Sequence, residues 1–269
     1  MKVAAIQFRC EGDPAADLDR AAELVRDASQ QGAELIVLPE LFASLGRTAT
    51  MIASGEPTDG PTMRWAQALA RAAATTLVPG SFVEESAGRR HNTTAAIGPD
   101  GVVLGHYRKI HLFDVDVDGA RSRESDTFSA GDEPVVVDAP GARVGLTICY
   151  DLRFGELFRR ETLDGADMIA VPSAFTAATG RDHWELLVRG RAVENQVALI
   201  AAAQWGTSPD GIERHGHTMV VDAWGRVLAD AGPSGDAVVV VDVDLDTQAD
   251  IRRRLPSLTH RRPDAYGSD

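Results

Sequence analysis

Residues 142–154 read ARVGLTICYDLRF, an apolar run that turns polar immediately after Cys149. Such a run is typical of a buried strand, and the polar residues after it mark the point where the chain leaves a sheet. An α/β protein often places its reactive groups at strand ends of this kind. A single cysteine beside a strand is nevertheless more often a small buried hydrophobic residue than a nucleophile. Cys149 is therefore a candidate nucleophile whose role depends on the groups around it.

Strand and helix patterns alternate along the rest of the 269 residues. We find no linker, repeat or low-complexity segment between them, so residues 1–269 are predicted to form a single α/β domain. The polar segment 114–132 is predicted to connect two strands. The predicted helices cover residues 14–31, 61–74, 155–163 and 182–195, and one of the predicted strands covers residues 77–83.

The composition excludes several classes of partner. The net charge of −13 argues against nucleic acid and against an anionic membrane surface, because both bind basic faces. No apolar run approaches the roughly 20 residues that a membrane-spanning helix needs. The first residues are too quickly polar for a signal peptide, and there are only two cysteines. A reducing, cytoplasmic location without disulfides is therefore expected.

Lysine is rare in this chain. Of 27 basic residues, Lys2 and Lys109 are the only lysines. An arginine guanidinium cannot replace a compact ammonium group on a flexible stem. Lys109 is therefore a candidate for a role that needs an amine, although retention of a surface lysine by chance is an equal alternative on composition alone.

Three candidate groups follow predicted strands. Glu40 follows an apolar strand and Pro39, Lys109 follows the strand 102–107, and Cys149 follows the strand 144–148. If these strands share a sheet, one edge gathers a carboxylate, an ammonium and a thiol. The carboxylate can act as general base, and the ammonium and the N–H of Tyr150 can stabilise an oxyanion. The nearby cation is expected to lower the pKa of the thiol. The predicted chemistry is hydrolysis of an amide through a thioester.

Three blocks carry a resemblance to a known family: LPELF at 38–42, YRKIHLFD at 107–114 and ICYDLRF at 148–154. In order and spacing they resemble the signature blocks of the nitrilase superfamily, the carbon–nitrogen hydrolases. The resemblance implies an α/β fold, an α-β-β-α sandwich that pairs across a dimer into four layers with helices outside. It implies a triad of Glu40 as base, Lys109 as oxyanion stabiliser and Cys149 as nucleophile, with no metal and no cofactor. Glu124 occupies the place of a second active-site glutamate.

Within this superfamily the chain resembles the amidases of 2-oxo acid amides. The resemblance rests on PSAFT at 172–176, HWELL at 183–187, HGHTMVVD at 215–222 and HRRPDAYG at 260–267. It favours deaminated glutathione as the small-molecule substrate, with 2-oxoglutaramate as the alternative. Another amide, a nitrile or an N-carbamoyl compound also stays open, and a catalytically silent scaffold is the least favoured alternative. The predicted substrate-binding residues are Tyr150, Arg153, Ser173, His183 and Trp184.

Four further expectations concern single residues and the C-terminus. Arg153 is a candidate for binding the substrate carboxylate, and a structural ion pair with Glu156 is the alternative. His215 and His217 alternate as in a strand without a third ligand at suitable spacing, so no zinc site is predicted. Cys10 is expected to be a passive thiol. The basic and aromatic tail from about residue 252 to 269 is predicted to dock on a partner subunit of a homodimer, with a solvated tail as the alternative.

Overall fold

The computed structural model describes residues 1–117 and 120–266. Its strands in chain order are β1 (Lys2–Gln7), β2 (Leu35–Val37), β3 (Thr76–Val78), β4 (Phe82–Ser86), β5 (Arg89–Ile97), β6 (Val103–Arg108), β7 (Asp114–Val117), β8 (Ala120–Arg123), β9 (Val135–Ala139), β10 (Ala142–Leu146), β11 (Met168–Ala170), β12 (Ala198–Ala201), β13 (Trp205–Thr207), β14 (Glu213–His215), β15 (Met219–Val221), β16 (Val227–Asp230) and β17 (Ala237–Asp242). Its α-helices are α1 (Pro14–Gln30), α2 (Thr48–Ala53), α3 (Pro61–Ala73), α4 (Gly155–Leu163), α5 (Ala177–Asn195), α6 (Leu245–Arg254) and α7 (Pro263–Tyr266). Glu124–Asp126 and Cys149–Arg153 form short 3₁₀ turns.

Two mixed sheets form the centre of the molecule. The first has the order β17-β1-β2-β3-β5-β4, with β6 also paired to β5. The second has the order β16-β15-β12-β11-β10-β9. Parallel pairs lie in the middle of both sheets, as between β1 and β2 and between β10 and β11. Antiparallel strands complete the edges, as β17 does beside β1.

Side chains alternate between the two faces of each strand and so build two separate cores. On β1, Val3 and Ala5 point into the space between the sheets, while Ala4 and Ile6 face the helices outside. The layer between the sheets also takes Val144 and Leu146 from β10. Because both faces are buried along residues 3–6 of β1 and 144–146 of β10, these stretches are continuously apolar.

Helices cover the outer face of each sheet. Helices α1 and α3 pack against the first sheet and α4 and α5 against the second. Asp13 caps α1, since its carboxylate accepts hydrogen bonds from the N–H groups of Ala15 and Ala16. The predicted α-β-β-α sandwich is therefore confirmed. All four layers, the two sheets and the helices outside them, are present within one chain and do not require pairing across a dimer.

Several predicted boundaries were wrong. The strand predicted over 77–83 is two strands, because Gly80 turns the chain with a φ of 66°. A Cβ at Gly80 would lie 1.9 Å from the carbonyl oxygen of Pro39, so only glycine fits there. Helix α5 begins at Ala177 rather than near 182, and Gly180 lies inside it. Glycine is needed at this position because a Cβ there would be 2.4 Å from the ring of His215.

The polar segment 114–132 and the C-terminal tail also differ from expectation. Strands β7 and β8 pair antiparallel within the segment that we predicted as a connection. Arg252, the predicted start of the docking tail, belongs to helix α6 and donates to the carbonyl oxygens of Gln196 and Ala166 in its own chain. The last residues of the predicted tail, 267–269, lie outside the described part of the chain.

Candidate active site

The three predicted groups meet at one end of the sandwich. Glu40 follows β2 and Lys109 follows β6, both in the first sheet, whereas Cys149 follows β10 in the second. The three strands therefore do not share one sheet, which was the condition under which the sequence placed the three groups at one edge. The groups meet because the two sheets pack face to face, so that neighbouring strand ends reach the same edge. All three line one cavity of about 390 Å³, together with Glu124.

Cys149 occupies a strained turn. Its φ is 47°, a left-handed conformation that costs on the order of 1–3 kcal/mol for residues other than glycine. The turn is held by Asp151, whose carboxylate accepts from the N–H of Ile148 at 2.8 Å and from the hydroxyl of Tyr107 at 2.7 Å. The Cys149 N–H donates to the carbonyl oxygen of Pro172 at 2.9 Å. These contacts fix the thiol at the end of the strand.

A second left-handed residue, Leu41, follows Glu40 and also has a φ of 47°. Its N–H donates to the Ser81 hydroxyl at 2.9 Å. The carbonyl of Glu40 accepts from Gln204 Nε2 at 2.8 Å, across 164 residues of sequence. The backbone at Glu40 is thus fixed from both sides, which aims its carboxylate into the cavity.

Lys109 is buried between the two glutamates, with 2% of its side chain exposed. Its Nζ lies 2.9 Å from Glu40 Oε1, and 2.9 and 2.8 Å from the two carboxylate oxygens of Glu124. Burial alone would lower the pKa of Lys109, but Glu124 and Glu40 outweigh it and hold that pKa well above its usual range. The ammonium form is therefore the resting state.

The resting proton of the pair lies on Cys149 and not on Glu40. Burial raises the pKa of Cys149 well above its usual range, and the Glu40 charge raises it further. Lys109 lowers the thiol pKa, as expected, but burial and Glu40 outweigh that effect. Although burial raises the pKa of Glu40, Lys109 and hydrogen bonds lower it on balance. The resting site holds a neutral thiol beside a carboxylate.

Sequence reasoning missed two groups that hold Glu40. Asn92 Nδ2 donates to Glu40 Oε1 at 2.8 Å and to Glu124 Oε1 at 3.3 Å, so one amide bridges both carboxylates. The N–H of Ala174 donates to Glu40 Oε2 at 2.9 Å. A polar residue on the buried part of β5 was the signal for Asn92, since such a side chain needs partners. A backbone donor such as Ala174 leaves no signal in the sequence.

The predicted substrate-binding residues fall in different places. Tyr150 lines the cavity. Ser173 is fully buried, and its hydroxyl faces the carbonyl of Val171 at 3.3 Å. Trp184 is fully buried, donates from Nε1 to the carbonyl of His217 at 2.7 Å and packs against Phe175. Neither of these two side chains is part of the cavity wall.

Arg153 and His183 lie behind the wall. The Arg153 guanidinium stands over the rings of Tyr150 and Phe175, 5.9 and 5.1 Å from their centroids. Its nitrogens are 3.4 Å from His183 Nδ1. Tyr150 and Phe175, not Arg153 itself, face the cavity. The alternative ion pair with Glu156 is not among the contacts of Arg153 that the described residues make.

The remaining expectations concern histidine and Cys10. The prediction that His215 and His217 alternate along one strand was wrong. Strand β14 ends at His215, and the backbone of His217 is left-handed with a φ of 57°. Within residues 1–117 and 120–266 there is no group of three or more His, Cys, Asp or Glu side chains that could hold a metal ion. Burial and the neighbouring Asp17 raise the pKa of Cys10 to about 12, which is typical of an unreactive thiol. No helix in the described part of the chain has the length and hydropathy to cross a membrane.

Comparison with known proteins gives the same family along the whole chain. A family model described as carbon-nitrogen hydrolase matches residues 2–253. The omega-amidase of Bos taurus is 40% identical over 266 residues, which are 98% of this chain and 96% of that protein. The deaminated glutathione amidase of Synechocystis sp. is 40% identical over 264 residues, 96% of this chain and 97% of that protein.

A solved structure supports the same assignment. The Nit3 protein of Saccharomyces cerevisiae, described as a member of branch 10 of the nitrilase superfamily, matches with a TM-score of 0.86 and 31% identity. The match covers 95% of this chain and 94% of that one. The chain therefore belongs to the carbon–nitrogen hydrolase family of the nitrilase superfamily and is an enzyme of that class.

Proposed function

We propose that the protein is a cysteine-dependent amidase that hydrolyses the amide bond of a 2-oxo acid amide, deaminated glutathione in particular. The observation that carries the proposal is the meeting of Cys149, Glu40 and Lys109 in one cavity. A thiol, a carboxylate and an ammonium can together supply the nucleophile, the general base and the oxyanion donor of acyl transfer from an amide. The relatives named above are by name an omega-amidase and a deaminated glutathione amidase, which supports the choice of substrate.

The first half of the reaction forms a thioester. Glu40 takes the thiol proton of Cys149 as the sulfur attacks the amide carbon, and the carbonyl oxygen becomes an oxyanion. The Lys109 ammonium and the Tyr150 N–H donate to that oxyanion. The tetrahedral intermediate then breaks its C–N bond, and Glu40 returns the proton to the departing amine nitrogen.

The second half releases the acid. Glu40 takes a proton from water, whose oxygen attacks the thioester carbon at the same oxyanion site. The C–S bond breaks, and the proton held by Glu40 returns to the sulfur, which restores the resting thiol. Glu124 keeps the Lys109 ammonium in place throughout, because it contacts Nζ through both of its oxygens. Each atom and proton is thus accounted for without a cofactor.

The two leading substrates share their acyl group. Deaminated glutathione and 2-oxoglutaramate both leave 2-oxoglutarate on the sulfur and differ in the amine that departs. A cavity of about 390 Å³ lies in the range of roughly 300–1,000 Å³ that drug-sized ligands occupy, which suits the larger of the two. For the acyl carboxylate we retain Arg153 as candidate, with access past Tyr150 and Phe175. Ser173, His183 and Trp184 are proposed to support these walls.

A comparison of two substrates tests the proposal. Release of cysteinylglycine from deaminated glutathione is measured beside release of ammonia from 2-oxoglutaramate, with the Cys149→Ala variant as blank. We expect a higher kcat/KM for deaminated glutathione. Preferred ammonia release would favour the alternative omega-amidase activity. Absence of turnover with both compounds would overturn the assignment to 2-oxo acid amides.

We also propose a cytoplasmic homodimer. Leu186 and Val193 on α5 are 70% and 51% exposed, and Trp224 nearby is 52% exposed. Apolar side chains grouped on one surface are typical of an interface between subunits. The residues after α6 are proposed to dock on the partner. Light scattering of Leu186→Glu against the wild type checks this, since a monomeric wild type contradicts it.

A further inference from the structure

One segment forms the cavity wall next to the general base. It starts directly after Glu40 and contributes Leu41, Leu45, Gly46, Arg47, Thr48 and Met51. The Leu45 N–H donates to the carbonyl of Leu41 at 2.8 Å, and the Met51 N–H donates to the carbonyl of Arg47 at 3.1 Å. The backbone of Arg47 is thereby fixed at the mouth of the cavity, and its side chain is exposed.

The chemistry of the reaction relates this wall to the departing amine. Glu40 delivers a proton to the amine nitrogen, so that nitrogen has to lie within hydrogen-bond reach of Glu40. The carbonyl oxygen has to point toward Lys109 and the Tyr150 N–H instead. We place the substituent on nitrogen along the wall that follows Glu40, because that wall lines the same cavity as the general base. A two-residue amine spans about 7 Å, which takes its carboxylate toward the mouth.

Among the side chains that the structure describes, three arginines line the cavity, and two of them have acidic partners. Arg214 pairs with Asp210 and also donates to the carbonyl of Ala174 at 2.9 Å. Arg123 lies 4.0 Å from Asp114. Arg47 makes no ion pair with any carboxylate in the part of the chain that the structure describes. A cation without an acidic partner, at the mouth of a substrate cavity, is suited to bind an anion.

We propose that Arg47 determines leaving-group specificity by binding a carboxylate carried by the departing amine, as in a dipeptide such as cysteinylglycine. The inference rests on the proposed function and adds to it the residue that favours deaminated glutathione over 2-oxoglutaramate. Arginine suits this task because its planar fork can hold both oxygens of a carboxylate. An ammonia leaving group offers nothing for Arg47 to bind.

Three substrates with the same acyl group test the role of Arg47. They carry ammonia, cysteinylglycine or cysteinylglycine amide as leaving group, and the last of these lacks the carboxylate. For the wild type we expect a kcat/KM ratio of about 10 between cysteinylglycine and its amide. In Arg47→Gln that ratio falls to about 1, and Arg47→Lys restores part of it. A ratio that is the same in the wild type and Arg47→Gln overturns the proposal.

Two matched variants separate this role from a general loss of positive charge. Arg123→Gln removes a cation elsewhere on the cavity wall and should leave the ratio near its wild-type value. Arg26→Gln removes an exposed arginine from helix α1, outside the cavity. If Arg123→Gln abolishes the ratio as Arg47→Gln does, long-range charge explains the preference and the assignment to Arg47 fails. An equal loss with all three substrates would instead place Arg47 on the acyl side and overturn the proposal.

Binding without turnover keeps this inference distinct from the proposed function. Calorimetry measures the affinity of cysteinylglycine and of its C-terminal amide for the wild type and for Arg47→Gln. We expect about tenfold tighter binding of the free carboxylate to the wild type and no preference in the variant. Such a result supports the Arg47 site even if the wild type hydrolyses none of the three substrates. Equal affinities for both ligands in the wild type overturn it even if turnover is high.

Discussion

Lys109 Nζ contacts both carboxylate oxygens of Glu124, at 2.9 and 2.8 Å, and also lies 2.9 Å from Glu40 Oε1. An ammonium has three N–H donors, so these contacts use all of its hydrogen bonds in the resting site. A substrate oxyanion therefore has to replace one of these carboxylate oxygens as hydrogen-bond acceptor. Glu124 remains able to hold the lysine through its second oxygen, whereas the contact to Glu40 is the one that proton transfer changes.

Replacement of Lys109 by arginine should cost on the order of 3 kcal/mol of transition-state stabilisation, a loss of roughly 10²–10³ in kcat. The planar guanidinium cannot occupy the site that a compact ammonium fills between three carboxylate oxygens. Lys2→Arg exchanges the one other lysine and serves as control. Steady-state kinetics of both variants measures the effect. Near-normal kcat in Lys109→Arg would refute the oxyanion role.

The Cys149→Ala variant should lose all turnover, because no other group in the cavity can form the thioester. Cys10→Ala should keep it, since Cys10 is buried with its thiol 3.3 Å from Asp17 Oδ2. Mass spectrometry after rapid acid quench should find the 2-oxoglutaryl group on wild-type Cys149. Retained activity in Cys149→Ala contradicts the covalent route.

Alkylation kinetics should show that the resting thiol of Cys149 is protonated. Burial first and Glu40 second raise its pKa well above the usual range, so the thiolate population stays small at neutral pH. We expect the rate of modification by iodoacetamide to rise with pH without a plateau up to about pH 9, since an ordinary thiol has a pKa of about 8.5. Cys149→Ala supplies the background rate at Cys10. A plateau below pH 8 would show a thiolate already formed.

The lowered pKa of Glu40 predicts how activity falls off at low pH, the acid limb of the activity profile. Lys109 and the hydrogen bonds from Asn92 and Cys149 lower the pKa of Glu40 against the effect of burial. The general base therefore stays ionised below the usual carboxyl range, and kcat/KM should hold its value down to about pH 4.5. Asn92→Ala removes one of these hydrogen bonds and should move the acid limb to higher pH. An unchanged limb in that variant contradicts the role of Asn92.

Replacement of Glu161 by glutamine should stabilise the fold at neutral pH. Glu161 is fully buried, and neither of its carboxyl oxygens has a hydrogen-bond partner within the described residues. Burial and the Asp151 charge raise its pKa well above the usual range. A raised folded pKa gives stability that is present below the unfolded value and is lost as pH rises toward the folded one.

The test follows denaturant unfolding of wild type and Glu161→Gln between pH 4 and pH 8. The difference in unfolding free energy should grow with pH in favour of the variant, by at most about 1.4 kcal/mol per pH unit for one proton. Glu156→Gln, on the exposed side of the same helix, controls for the loss of a carboxyl. A pH-independent difference would show that Glu161 does not titrate on unfolding.

The sequence was sufficient to predict the residues that act on the substrate, but not the residues that hold them in place. Glu40, Lys109 and Cys149 each follow a predicted strand, which is a local signal. Asn92, Gln204 and Arg47 acquire their roles only once distant segments of the chain come together. One example is the hydrogen bond from Gln204 to Glu40 across 164 residues. The local pattern around such residues shows a polar side chain and nothing about its partner.

The same limit explains why the sequence left the assignment of strands to sheets open. The pattern marks β2, β6 and β10 as strands, but it does not state which strands pair. Pairing follows from connections between distant segments, and only the structure shows that β10 joins β11 and β9 rather than β2. Chain direction was enough to predict that strand ends carry the reactive groups.

The placement of the base and the nucleophile on different sheets has a consequence for refolding. Either sheet formed alone carries an incomplete triad, because Glu40 and Lys109 belong to one and Cys149 to the other. The rate at which turnover recovers after dilution from denaturant therefore reports the rate at which the two sheets dock. We expect it to lag behind the return of far-ultraviolet circular dichroism, which reports strand and helix formation within each half.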